Sequence, residues 1–527
     1  MIPPAAGLRL CCNFRVLASL LFLALLRPAD SAAFEARVDP RIFAGKSEGE
    51  RAAFLVVLRE QADLSGAPAI RDRAARRRFV YEALREHAAA TQAPLVGRLR
   101  AAGIAFRSHF LFNMLEVEAD VALARELAAR ADVSAVEANL SAALSRPAED
   151  DARLTVHASS SIEFNIAMIR APELWNRGFT GQGIVVGVAD TGFQWDHPAL
   201  QARYRGWNGA SVSHDYNWHD AIHDATPGNP CGSDSPAPCD DDSHGTATAG
   251  LSVGYDGGGN RIGVAPGASL IGCRNMDQGN GTPARYTECF EWFLAPTDAA
   301  GENPRPDLGA DVINNSWTCP ASEGCTSPDI LRSVVENVRA AGIAVVFAAG
   351  NSGGIAGGPL PACSTIGDVP AFYDAAITVG ATGADEMIAP FSSIGPVLAD
   401  GSNRLKPDLA APGVGVRTAA PPDGYVGSFS GTSAAAPHVT GAVALLWSAF
   451  PALAGDVDRT EEALERGAVP RTVDLTCGGY AGTEVPNPVY GWGRLDVEGA
   501  YEWLAPPRSA VVPLGRRPPT RLVPERP

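Results

Sequence analysis

Along the first third of the chain, apolar and polar positions alternate between short and long periods. Residues 52–60, AAFLVVLRE, are apolar with poor alternation, which predicts a strand covered on both faces. Asp72 to Ala102 is rich in Arg and Ala at helical spacing and predicts a long helix. His109 to Glu118, HFLFNMLEVE, predicts a second strand, Val121 to Arg130 a short helix and Val133 to Ala138 a last strand. The succession β-α-β-α-β predicts a small α+β domain built on one sheet. Residues 139–160 carry SRPAEDD and ASSS, a polar stretch of the kind that links domains and attracts proteolysis.

From Ile162 the texture changes. Short apolar strands such as Ile184–Ala189, Ile343–Ala348 and Ala376–Val379 alternate with helical patterns and Gly-rich loops. That alternation predicts an α/β fold, a mostly parallel sheet with helices on both faces in three layers, over residues 160–505. Thr432 to Ala449 is a helix of Ala, Gly and Leu, hence a buried one. The tail 506–527 is Pro/Arg-rich and is not expected to pack.

Length and composition narrow the picture. A chain of 527 residues exceeds one ordinary core, and 46% apolar with 19% charged residues is a globular composition. A net charge of −16 argues against nucleic acid as partner. Arg9 and Arg15 precede the apolar run Val16 to Leu26, and Ser31-Ala32-Ala33 follow. This predicts a cleaved secretory signal over residues 1–33 and a secreted protein, because a membrane span needs about 20 apolar residues. Apart from Cys11 and Cys12, the cysteines all lie beyond residue 230: Cys231, Cys239, Cys273, Cys289, Cys319, Cys325, Cys363 and Cys477. An even number in an exported chain predicts disulfides, and proximity favours Cys231/Cys239 and Cys319/Cys325.

Three glycine-punctuated segments carry candidate chemistry. Val188-Ala189-Asp190-Thr191-Gly192 places an acid at the end of an apolar strand. Ser243-His244-Gly245-Thr246 places a histidine at the start of an Ala/Gly-rich helix. Ser430-Gly431-Thr432-Ser433-Ala434-Ala435-Ala436-Pro437 places a serine at the opening of the buried helix. Singly, each reads as a loop residue or helix cap. Together, in the order Asp, His, Ser, they suit a nucleophilic serine whose proton passes to a histidine oriented by an acid. Asn351, in Phe347-Ala348-Ala349-Gly350-Asn351-Ser352-Gly353, is either a left-handed turn residue or a side-chain amide aimed at an oxyanion.

The set DTG, HGT, AAGN and GTSxAAP resembles the subtilase family over roughly residues 165–500, and HPALQARYRGWN, WFLAPTDAAGENPRPDLGADVINNSW and LKPDLAAPG resemble its bacillopeptidase F-like members. The resemblance implies a serine endopeptidase with Asp190, His244 and Ser433 as triad and Asn351 as oxyanion donor. It implies that Ser316 and Gly350 bind substrate, with Ser316 on an edge strand pairing with an extended peptide. Its substrates would be proteins or peptides, and the chemistry would need no cofactor. Residues 52–139, within a 34–150 unit, resemble a propeptide that inhibits the enzyme intramolecularly until it is cleaved off.

Some positions depart from the family pattern. Ala247 stands where the family has a second histidine, Ala434 where it has methionine, and Ala199 where it has an aspartate that often ligates structural calcium. Ala199 offers a metal no oxygen. Asp240-Asp241-Asp242 has oxygens to offer Ca²⁺, but a solvated acidic loop is the expectation. His219 and His223 have the i, i+4 spacing of a zinc pair on a helix. With His214 and Trp218 beside them, a packed surface loop is preferred. An aspartic protease would need a second DTG-type carboxylate, and a sedolisin-type peptidase lacks the HGT histidine. A binding-only pseudoprotease would be expected to have lost one of the four residues, all of which are present.

Overall fold

The computed structural model describes residues 37–47, 49–146, 154–155, 162–354 and 360–505. The predicted signal 1–33 and tail 506–527 lie outside the described residues.

The N-terminal unit is an antiparallel sheet in the order β2-β3-β1-β4. Its strands are β1 (Arg51–Leu58), β2 (Phe106–His109), β3 (Met114–Asp120) and β4 (Val133–Ala138). Helices α1 (Arg73–Ala101) and α2 (Val121–Ala128) start where the carboxylates of Asp72 and Asp120 accept the amides of Ala75 and Leu123. The segment expected as one strand from His109 is therefore a hairpin, β2 and β3, turning through Phe110–Asn113. Along β1, Phe54 and Val56 join a core with Leu95, Leu99 and Leu127, whereas Leu55 and Val57 join the core of the larger unit. Both faces are covered, which accounts for the missing alternation.

The larger unit holds a seven-stranded sheet in the order β12-β11-β10-β9-β6-β8-β7, parallel throughout. These strands are β6 (Val185–Asp190), β7 (Trp218–Asp220), β8 (Ser269–Arg274), β9 (Val312–Asn315), β10 (Ala344–Ala348), β11 (Ile377–Thr382) and β12 (Leu409–Pro412). Alternate residues feed opposite cores. Val346 and Ala348 pack with α3 (His244–Val253) and α6 (Thr432–Ala449), while Val345 and Phe347 pack with α4 (Pro283–Leu294) and α5 (Arg332–Ala340). This is the expected three-layer α/β architecture. From β6 the chain builds first toward β8 and β7, then reverses to β9 and onward. The crevice at the carboxyl ends of β6 and β9 is where such sheets bind ligands.

The cysteines pair as Cys231–Cys239, Cys273–Cys289, Cys319–Cys325 and Cys363–Cys477, two of which were favoured by proximity. No helix among the described residues is long and apolar enough to cross a membrane.

The two units meet on α4 and α5. Glu291 of α4 accepts the amides of Phe110 and Leu111 in the β2–β3 turn, and the ring of His109 lies 3.2 Å from its other oxygen. Arg77 of α1 pairs with Asp311 at 2.6 Å, both side chains about 5% exposed or less, and Arg73 reaches the same oxygen at 2.6 Å. Truncating one member of a buried pair strands the other, at a cost of about 2–5 kcal/mol. Because Arg73 stays in place, Arg77→Leu should fall at the low end and raise the dissociation constant between the separated units about 30-fold. Titrating the two units after cleavage of the connecting chain measures this, and an unchanged constant would show the pair to be energetically silent.

The presumed linker behaves differently in its first half. The Leu140 amide donates to the Glu323 carbonyl at 3.2 Å. Then β5 (Ala142–Ala143) pairs antiparallel with Asn280–Gly281. The Leu144 amide donates to the Gly279 carbonyl at 2.7 Å. Residues 139–146 are thus laid along the larger unit, and 147–153 and 156–161 lie outside the described residues.

Candidate active site

Asp190 ends β6 and is wholly buried. His244 opens α3, and its Nδ1 lies 2.7 Å from Asp190 Oδ1. The loops carrying them can approach only because of two glycines. A Cβ on Gly245 would lie 1.8 Å from the Gly192 carbonyl oxygen, and one on Gly192 would lie 1.7 Å from that of Cys239. Asp190 is fixed further by the Thr191 amide at 2.8 Å and the Thr248 hydroxyl at 3.1 Å. A carboxylate only accepts, so Nδ1 carries the proton and Nε2 is left as the base. Burial works to lower the His244 pKa, but the charge and hydrogen bond of Asp190 outweigh it and leave it raised.

Ser433 lies in the first turn of α6, 5% exposed. Its hydroxyl donates to the Ser316 carbonyl at 2.9 Å, so in this rotamer it does not donate to His244. Packing of α3 on α6 brings the serine and histidine segments together. His438, one turn further along α6, donates from Nδ1 to the Ala434 carbonyl and accepts at Nε2 from the Asn165 amide, at 2.8 Å each. Burial pushes its pKa down to about 4, so it is a neutral packing residue.

Asn351 follows β10 and has a divided role. Its Oδ1 accepts the Thr432 amide and hydroxyl, each at 2.9 Å, which turns Nδ2 outward to donate to the Ser145 carbonyl at 2.9 Å. The Gly350 amide donates to the same Thr432 hydroxyl at 3.2 Å, and Gly350 itself has φ near +101°. Ser316 sits just past the end of β9, a central strand and not an edge one. Its hydroxyl donates to the Ser433 carbonyl at 2.9 Å. Leu144, Ser145, Ser316, Gly350, Asn351 and Ser433 line one crevice. Thr432, Thr191 and Thr248 escaped the sequence reading, although two of them lie inside motifs. Thr248 stands four residues after His244, so helical spacing alone places it on the same face.

The departures from the family pattern are coupled. Ala247 and Ala434 fall in one apolar cluster with Leu251, Val426 and Phe429. The Phe429 ring packs edge-on to His244, with centroids 5.6 Å apart, and fills the space beside two small residues.

The acidic run is not a solvated loop. Asp240 accepts the hydroxyls of Thr191 and Thr246 and the amide of Ser243, at 2.8, 2.5 and 2.9 Å. Burial raises its pKa to about 6 against the pull of those bonds. Asp241 lies 3.2 Å from Arg274 with no side-chain exposure. Ala199 is fully buried in a cluster with Ile262, Ala419 and Tyr425, so the calcium ligand missing from the sequence is replaced by apolar packing. No group of three or more His, Cys, Asp or Glu among the described residues is arranged to hold a metal. His219 lies in the short strand β7 and His223 in the loop after it, so no helical pair forms. Both Nε2 atoms instead meet Glu288, at 2.8 and 3.0 Å.

Comparison with known proteins agrees with this geometry. The model of the subtilase family matches residues 181–493. The chain is 38% identical to Bacillopeptidase F of Bacillus subtilis (strain 168) over 350 residues, 66% of this chain but 22% of that protein. It is 32% identical to Subtilisin E of the same organism over 295 residues, 56% of this chain and 63% of that one. Identity to Subtilisin DY of Bacillus licheniformis is 33% over 296 residues, 56% of this chain and 88% of that one. A match over more than half of the chain, on a parallel sheet with Asp190, His244 and Ser433 gathered at its carboxyl edge, means that the chain belongs to the subtilase family.

Proposed function

We propose that the chain is a secreted serine endopeptidase, made as a precursor whose N-terminal unit inhibits it until cleaved off. Ser433 Oγ attacks a peptide carbonyl while His244 Nε2 takes its proton, and the same proton passes to the leaving amine. Asp190 keeps the imidazole in the required tautomer and stabilises its charged form. Water then hydrolyses the acyl-enzyme by the same route in reverse. The observation that carries the reading is the Asn351 amide, oriented by Thr432 and bonded at 2.9 Å to the carbonyl of an extended peptide segment in the Ser433 crevice. Four disulfides support an oxidising, extracytoplasmic setting. The N-terminal unit supports the precursor reading, because its exit segment lies along the cleft in the manner of a substrate.

A fluorophosphonate probe should label Ser433 in the processed protein; a folded, processed sample that does not react would end the proposal. Asn351→Leu should lower kcat about 10²–10³-fold with KM little changed, a range measured on a subtilisin, a relative of this chain. A raised KM with intact kcat would mean that Asn351 binds the ground state and not the oxyanion.

A further inference from the structure

The segment lying in the crevice also shows what its primed side meets. After β5, Leu144 bonds to Gly279 and the Ser145 carbonyl to Asn351, so the next peptide bond, Ser145–Arg146, is the one presented to Ser433. The Arg146 guanidinium turns to the Asp242 carboxylate, two residues before His244. Asp242 is 16% exposed in its side chain and Arg146 41%. Of the three consecutive aspartates, Asp240 is committed to Thr191 and Thr246, and Asp241 to Arg274 and Asn229. Asp242 instead takes Arg146, the residue after crevice-lining Ser145, as its one ion-pair partner among the described residues. Its position is fixed from behind, since its amide donates to Asp240 Oδ1 at 3.1 Å.

Resting on the endopeptidase reading above, we propose that Asp242 is a specificity-determining residue that selects a basic side chain immediately after the scissile bond, and that Ser145–Arg146 is the bond it selects in the chain itself. Ser433 Oγ bonds to the Ser145 carbonyl carbon and its proton goes to His244. The carbon–nitrogen bond to Arg146 then breaks, with that proton passing to the Arg146 nitrogen, which becomes a new α-amino group. Water attacks the Ser145 ester, its hydroxyl stays on the carbonyl carbon and its proton returns to Ser433 through His244. After the cut Asp242 is free to receive the corresponding cation of a protein substrate.

The test uses the full chain and three internally quenched peptides of the sequence around Leu144-Ser145, differing only in Arg, Gln or Glu after Ser145. The first processed species should begin at Arg146. The processed protein should cleave the Arg peptide about tenfold faster in kcat/KM than the Gln peptide, with Glu slowest, the size expected of a half-exposed charged hydrogen bond. In Asp242→Asn the Arg/Gln ratio should fall to about one. Both peptides are measured on one sample, so the ratio is insensitive to the fraction correctly folded. A first species starting elsewhere, or an Arg/Gln ratio unchanged in Asp242→Asn, overturns the proposal. Failure of the unsubstituted, processed protein to cleave any of the three overturns the endopeptidase reading itself.

Discussion

Ser433→Ala should remove essentially all peptide hydrolysis, about 10⁶-fold in kcat, and leave the chain uncut between its two units. The magnitude is that found when a subtilisin loses its nucleophile, and the residual rate reflects the oxyanion site and binding alone. Little else should change. The substitution deletes one hydroxyl, whose hydrogen bond to the Ser316 carbonyl is worth about 1 kcal/mol, and Ser433 backbone groups keep the start of α6. Ala is also a good helix former. The protein should therefore fold, keep its four disulfides and accumulate at full length, less any exported leader. Casein hydrolysis, fluorophosphonate labelling and gel mobility measure the three consequences together. Hydrolysis persisting at a tenth of the original rate would mean that another group supplies the nucleophile.

The site was more legible in the sequence than the unit that covers it. Asp190, His244, Ser433 and Asn351 each sit at a strand end or helix start with a glycine within two residues, because a site at the sheet's carboxyl edge demands tight turns. Those constraints are local, and local constraints leave marks in a sequence. The hairpin β2–β3 left none. Three of the four residues of its turn, Phe110-Leu111-Phe112-Asn113, are apolar because they bury in the core shared with α4 and α5, so a rule that expects polar turns merges the two strands into one. The path of residues 139–146 was hidden for a similar reason: a Ser- and Pro-containing composition looks like a tether, yet strand pairing with Asn280–Gly281 orders it. The acidic run Asp240-Asp241-Asp242 looked solvated because its partners Thr191, Thr246, Arg274 and Arg146 are scattered between residues 146 and 274. The spacing of His219 and His223 was compatible with a helix, but three residues of β7 decided otherwise by pairing with β8.

The coupling of Ala247, Ala434 and Phe429 shows how departures from a family pattern can be read once they are placed. Two substitutions that remove volume near His244 would each leave a void, and a void costs stability in proportion to its size. Here Phe429 and Val426 occupy that space, so the three positions form one packing solution. Ala434, next to Ser433, is then part of an apolar cluster, and the His244 ring is braced on one side by Phe429 and on its Nδ1 edge by Asp190.

That second brace sets the final expectation: Asp190→Asn should lower kcat about 10⁴-fold and move the acid limb of the kcat/KM profile to lower pH. The geometry can survive the change. With the Asn oxygen at the Oδ1 position, the Thr191 amide and His244 Nδ1 keep their acceptor. The new NH₂ faces the Thr248 hydroxyl, which can accept it while donating to the Gly245 carbonyl at 3.1 Å. What is lost is the charge that stabilises the imidazolium as the proton arrives. Lost too is the acceptor-only carboxylate that fixes the tautomer, since an amide can also turn its NH₂ to Nδ1 and leave the proton on Nε2. In the native protein burial lowers the His244 pKa, and the charge and hydrogen bond of Asp190 more than reverse this. Without that charge burial prevails, and the pKa falls below the ordinary 6.5 of histidine. Neutral histidine is the active form, so the native acid limb lies above 6.5, the variant's lies below it, and the deficit narrows as pH falls. Stability moves the opposite way. A raised folded-state pKa gives the native protein stability that is full below pH 6.5 and lost as pH rises through the raised value. The variant instead loses stability on acidification, because its buried histidine resists the charge. Rate profiles from pH 5 to 9, with urea unfolding at both ends, separate the two effects. An acid limb that stays in place would assign the raised pKa to a group other than Asp190.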